Sequence, residues 1–202
     1  MVLWTIQTEE AYQQLIQTGR LYGDIQHIDE DFIFAYDWLA NEMIKRIGNP
    51  PTDVKYPVWA WYQCQGKRKK PDLRHSGYSE KGTPLVLLTV DIDEKDVLLS
   101  DFDDWHCVLN YFYLALNEKE DDLFHSRYAE EGYKITDLNN FALTSPCLEE
   151  CRKQIEQSWQ LIFDLNRNEP DWDTPLDKKS IQATFWELKK ENVLKVQHFL
   201  AK

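Results

Sequence analysis

The chain has 202 residues, with 35 Asp and Glu against 23 Lys and Arg, giving a net charge of −12 at pH 7. That balance argues against sequence-independent binding along a phosphate backbone, which draws its affinity from a surplus of Lys and Arg, and leaves room only for a local basic patch. A hydrophobic fraction of 43%, spread over the whole length, excludes disorder and predicts a single domain over residues 1–202.

Leu3 to Gln7 reads as a short strand. Thr8 is then a helix N-cap, with Glu9 and Glu10 in the first turn at the positive end of the dipole, and Gly19 ends that helix. A second helix is expected from about Asp31 to Ile47, where Phe32, Tyr36, Leu39, Met43 and Ile47 recur at helical spacing, and Gly48 with Pro50 and Pro51 stops it. Pro57 opens a strand that runs to about Tyr62. A basic loop follows, interrupted by Gly66, Pro71, Gly77 and Gly82.

Leu85 to Ile92 is a continuous apolar run of strand length, expected at the centre of a sheet, and Val97 to Leu99 is a shorter one. Ser100 with Asp103 suggests a capping box for a helix carrying Trp105, Val108, Leu109, Phe112 and Leu116. Glu118 to Asp122, E-K-E-D-D, reads as a solvated acidic turn. Ser145-Pro146 starts a helix whose stripe of Leu148, Ile155, Trp159 and Ile162 runs to about Leu165. Residues 166–177 read as a polar loop. The last two β-rich runs, I-Q-A-T-F-W-E-L and V-L-K-V-Q-H-F-L around K-K-E-N, suggest a hairpin. The order of elements predicts an α+β fold: a central mixed β-sheet with flanking helices and a C-terminal β-hairpin joined to it.

No window is long and apolar enough to cross a membrane, and M-V-L-W-T-I-Q-T has no basic, apolar leader, so a cytoplasmic protein without membrane partners is expected. Cys64, Cys107, Cys147 and Cys151 form no C-x-x-C pair and read as buried apolar residues, and no zinc site is expected. No glycine-rich phosphate loop, dinucleotide fingerprint or nucleophile elbow is present, so an anion would have to be met by side chains or helix N-termini.

Three stretches carry chemistry-bearing residues. Trp59, Trp61 and Tyr62 directly precede Lys67, Arg68, Lys69, Lys70 and Arg74, and aromatic faces beside cations suit the stacking of bases; the alternative is a strand leading into a solvated loop. Asp101, Asp103, Asp104 and His106 gather at a helix start. There His106 beside a carboxylate offers acid–base chemistry, and capping alone also explains the aspartates. In I-Q-A-T-F-W-E, Gln182, Thr184 and Trp186 alternate onto one face of a strand, able to line a cleft or simply to pack.

Taken together, L-W-T-I-Q-T, Y-P-V-W-A-W-Y-Q with K-R-K-K-P-D-L-R, V-L-L-S-D-F-D-D-W-H-C-V-L-N and I-Q-A-T-F-W-E-L resemble a bacterial domain-of-unknown-function family (domain of unknown function 3841) over nearly the full chain. More remotely, the order of L-I-Q-T-G-R-L, the aromatic strand with its basic loop, Ser100-Asp101 and Gln182-Ala183 resembles the DNA-targeting ADP-ribosyltransferase toxins of the DarT type. That likeness implies an ADP-ribosyltransferase-like fold that takes NAD as substrate in a cleft between the first strands and the last hairpin. It implies Thr5, Gln7, Trp59, Trp61, Tyr62, Lys67, Arg68, Arg74, Asp101 and Thr184 on the nucleotide, and Gln182, His106 and Glu187 in catalysis.

The chain departs from that pattern at two places. The family's catalytic glutamate falls on Thr184, and the histidine of its first strand falls near Thr5, with Gln7 the nearest polar substitute. Glu187, three residues after Thr184, takes the acid's place only if the strand is irregular there. The acidic composition and the E-K-E-D-D run leave a second expectation open, a non-enzymatic interaction protein with a basic protein partner. Single-strand nucleic-acid binding through the basic loop is a third.

Overall fold

The computed structural model describes all residues from Met1 to Lys202. It contains two compact units, one formed by residues 1–99 and 180–202 and the other by residues 100–179.

The first unit is built on a sheet. Strand β1 (Val2–Thr8) leads through the Thr8 cap, whose hydroxyl accepts from the Ala11 amide, into α1 (Glu9–Thr18). Gly19 closes α1 at φ 83°, a left-handed conformation that suits glycine. A two-residue strand β2 (Arg20–Leu21) follows, then α2 (Ile33–Ile47), β3 (Val58–Gln63), β4 (Pro84–Asp91) and β5 (Leu98–Asp101), whose last two residues open the second unit. After the second unit the chain returns as β6 (Ile181–Phe185), β7 (Leu188–Lys189) and β8 (Val193–Leu200).

The sheet order is β5-β6-β3-β1-β4-β8, and the β1–β3, β1–β4, β3–β6 and β4–β8 pairs are antiparallel. The α+β class therefore holds, with a mostly antiparallel sheet. On one face Leu3, Val58, Ala60, Val86, Leu88, Val90, Ala183 and Phe185 pack with Leu15 of α1 into a single core. Trp59 and Trp61, alternating with Val58 and Ala60, are half-buried on the other face.

The C-terminal hairpin does not form. Strands β6 and β8 lie in the same sheet with β3, β1 and β4 between them. The strand run breaks after Phe185: the Trp186 indole donates to the Gly48 carbonyl, and Leu188 and Lys189 leave the sheet to pair with β2. Within K-K-E-N, Lys190–Asn192 form a single turn of 3₁₀ helix after the end of β7, leading to the far edge.

In the second unit, α3 (Phe102–Leu109) is capped by Asp101, not by Ser100, because the Asp101 carboxylate accepts from the amides of Asp103 and Asp104. It stops at Leu109, short of Phe112 and Leu116, since Tyr111 takes a positive φ of 56°. The E-K-E-D-D run is not a turn. It is the start of α4 (Glu118–Glu130), with Asn117 accepting from the Glu120 amide and three carboxylates in a first turn whose dipole favours them. A short α5 (Ile135–Leu138) and α6 (Pro146–Ser158), capped by Ser145, complete the unit around Tyr128, Leu148, Cys151, Ile155 and Trp159.

Candidate functional site

One cleft of the first unit originates in an interrupted ladder. Strand β1 pairs with β4 along its whole length but with β3 only at Trp4–Trp61. Beyond that point the Thr5 hydroxyl donates to the Trp59 carbonyl at 2.7 Å, and the Gln7 amide donates to the Thr5 hydroxyl at 2.6 Å. Side chains thus replace the missing backbone bonds, and the strand ends diverge. The segment before β3 joins a different neighbour, as the Gly23 amide donates to the Tyr56 carbonyl.

A cleft of about 370 Å3 opens at this end of the sheet. Tyr22, Tyr36, Tyr56, Trp59 and Tyr78 give it aromatic walls, while Gln7, Gln14, Glu10 and Asp24 supply polar groups. The Tyr36 ring stands edge-on to Tyr56 and Trp59 at 6.2 and 6.0 Å. Burial raises the Tyr36 phenol, and a hydrogen bond with Trp59 pulls it partly back. Tyr78 donates to the Asp72 carbonyl, and burial raises its phenol too. Asp24 accepts from the Gln26 amide, which fixes its carboxylate at the start of a 3₁₀ turn. Neutral amides, phenols and exposed carboxylates around edge-on aromatic rings suit a planar, hydrogen-bonding ligand.

Of the residues singled out in the sequence, Gln7 and Trp59 line this cleft, and Thr5 stands directly behind both. Trp61 pairs across from Gln182 further along the sheet, where the Gln182 side-chain oxygen is buried without a hydrogen-bond partner. Thr184 is fully buried and donates to the Leu98 carbonyl. Glu187 sits in the break between β6 and β7, its carboxylate 3.0 Å from the Arg20 guanidinium.

The basic residues do not line the cleft. Arg68 stacks on Tyr62 at 3.7 Å and donates to the carbonyls of Tyr62 and Val2, at the opposite end of β1. Arg74 forms a fork with Asp72 and holds that carboxyl well below its usual range, and Lys67 is exposed. Tyr22, Tyr36, Tyr56 and Tyr78 were not legible as site residues. Their only signal is that ten tyrosines are many for a chain of this length, and nothing local marks four of them as neighbours.

Asp101 and His106 belong to the second unit. Asp101 is buried in an ion pair with Lys179 at 3.0 Å, while Arg167 bridges Asp104 at 3.0 Å and Asp173 at 2.7 Å. A space of about 250 Å3 adjoins these groups. Burial, reinforced by the Asp101 charge, pushes the Asp104 carboxyl up to about 6. Lys179 and Arg167 lie in or beside the segment read as a plain polar loop, whose charges pin it to the start of α3. His106 is exposed, its Nδ1 2.9 Å from the Phe102 carbonyl and its ring edge-on to Phe102. No group of three or more His, Cys, Asp or Glu is placed to hold a metal ion, and all four cysteines are free.

A family model described as a domain of unknown function, DUF3841, matches residues 2–194. The chain belongs to that family, which spans both units. No curated protein and no solved structure matches it. No helix is long and apolar enough to cross a membrane.

Proposed function

We propose that the chain is an ADP-ribosyltransferase-like domain that binds NAD or a related nucleotide in the cleft of its first unit. One observation carries the reading: the β1–β3 ladder is interrupted at Thr5 and Trp59, and an aromatic-walled cleft opens where it stops. Trp59 and Tyr36 would flank a planar ring, and Gln7, oriented by its bond to Thr5, would meet a hydrogen-bonding edge.

Transfer of the bound group is a separate function. Thr184 carries no carboxylate and is sealed in the sheet, so the acid would have to be Glu187, which first has to part from Arg20. Isothermal titration with NAD and with ADP-ribose tests the binding: heat from at least one, lost in Trp59→Ala, is expected, and none from either at millimolar concentration sinks the proposal. Labelled NAD incubated with nucleic acid and protein acceptors tests the transfer. Label that enters an acceptor with wild-type protein and not with Glu187→Gln would make Glu187 the acid.

A further inference from the structure

We infer that the cleft selects its ligand by charge, holding a cationic nucleoside such as a pyridinium riboside and leaving phosphates in solvent. The inference rests on the proposed nucleotide binding and names the part of the nucleotide that is held. Three observations support it. First, about 370 Å3 lies at the low end of the roughly 300–1,000 Å3 spanned by small-molecule sites, which suits one nucleoside better than a dinucleotide.

Second, the cleft is lined by five aromatic rings and the carboxylates of Glu10 and Asp24, and by no Lys or Arg. Aromatic faces carry negative potential and attract a cation set against them, and a carboxylate nearby adds to that attraction. A phosphate brought to the same walls would face two like charges, and the cations nearest the lining are already paired: Arg20, 5.0 Å from the Tyr22 ring, with Glu187, and Lys55, 4.8 Å from the Tyr56 ring, with Asp37. Third, three cations of the basic loop are committed elsewhere, Arg68 to Tyr62, Val2 and Trp4, Lys70 to Gln197, and Arg74 to Asp72, while Lys67 and Lys69 are exposed and line no part of the cleft. His27, three residues after Asp24, is exposed on the cleft wall.

Titration calorimetry of the full chain with NAD, NADH, nicotinamide riboside and ADP-ribose tests this. The oxidised and reduced dinucleotides differ in the charge of one ring. NAD is expected to bind about tenfold or more tightly than NADH, and nicotinamide riboside to bind within about threefold of NAD. ADP-ribose, which lacks the cationic ring, should bind at least about tenfold more weakly than NAD. Glu10→Gln with Asp24→Asn, which keeps the Asp24 capping oxygen, should reduce the preference for NAD over NADH at least about threefold; its circular dichroism and melting temperature report whether it folds. Equal binding of NAD and NADH, or ADP-ribose as tight as NAD, would overturn the charge selection and leave nucleotide binding standing. No binding by any of the four would overturn both.

Discussion

Gly23 shows how one residue can shape the cleft. A Cβ built there would lie 2.6 Å from the Pro57 carbonyl oxygen and 2.9 Å from that of Tyr56, both backbone atoms with no rotamer to yield. Gly23→Ala must therefore push the Tyr22–Asp24 segment off the start of β3, and both segments are cleft walls. The expected cost is about 1–3 kcal/mol in urea denaturation, the usual range for overpacking, with loss of ligand binding at temperatures where the variant is still folded. Asp104 tests the other unit. Its carboxyl titrates at about 6 instead of 3.8, so the folded chain holds a proton that the unfolded chain has already released. Stability attributable to Asp104 is thus greatest at low pH and declines as pH rises from about 4 to about 6. Asp104→Asn keeps the protonated shape without the charge. Relative to wild type it should gain about 2 kcal/mol between pH 4 and pH 7, read from paired urea titrations, and a gain that is flat with pH would refute the assignment.

Elements whose signals are local were legible, and elements decided by partners were not. The first strand, the Thr8 cap, the Gly19 stop, the 33–47 helix and the 84–91 strand each announce themselves by cap, breaker or apolar period. The hairpin failed because a polar turn between two β-rich runs is only a local hint. Ile181, Ala183 and Phe185 bury one face of β6 in the core against β3, whereas β8 is largely exposed and adds to β4 at the opposite edge. The α4 start was missed by reading E-K-E-D-D as charge alone, without Asn117 as its cap. The cleft was half legible: Trp59 and Gln7 were named, but the break in the ladder that puts them together is a pairing property no single strand reveals. That break makes its own prediction. Thr5→Val keeps the shape of the side chain, removes the donor to the Trp59 carbonyl and leaves Gln7 without its acceptor. It should cost about 1–3 kcal/mol, the penalty of an unsatisfied buried polar group, and weaken ligand binding more than a Thr5→Ser control that retains the hydroxyl.

Across the whole molecule, charge separates two features that lie side by side in the sequence. The aromatic strand Val58–Gln63 runs straight into the basic loop, and that adjacency suggests one shared site. In the fold, Trp59 lies at the cleft end of β3, while the chain passes Tyr62 before Arg68 folds back over the far end of β1. The loop's cations offset an acidic surface and hold strand ends and neighbouring side chains, as Lys70 holds Gln197. If cleft and loop are independent, replacing Lys67, Lys69 and Lys70 together by Gln removes three charges without touching a cleft wall. Ligand affinity should then stay within about twofold of wild type and keep the same dependence on ionic strength, because the loop reaches the cleft through Tyr78, which bonds to the Asp72 carbonyl, and not through these lysines. Trp59→Ala in the same assay should abolish binding. Were the triple variant to lose affinity as the tryptophan variant does, with a shallower salt slope, the loop would be reaching the ligand's phosphates, and the adjacency in sequence would be functional after all.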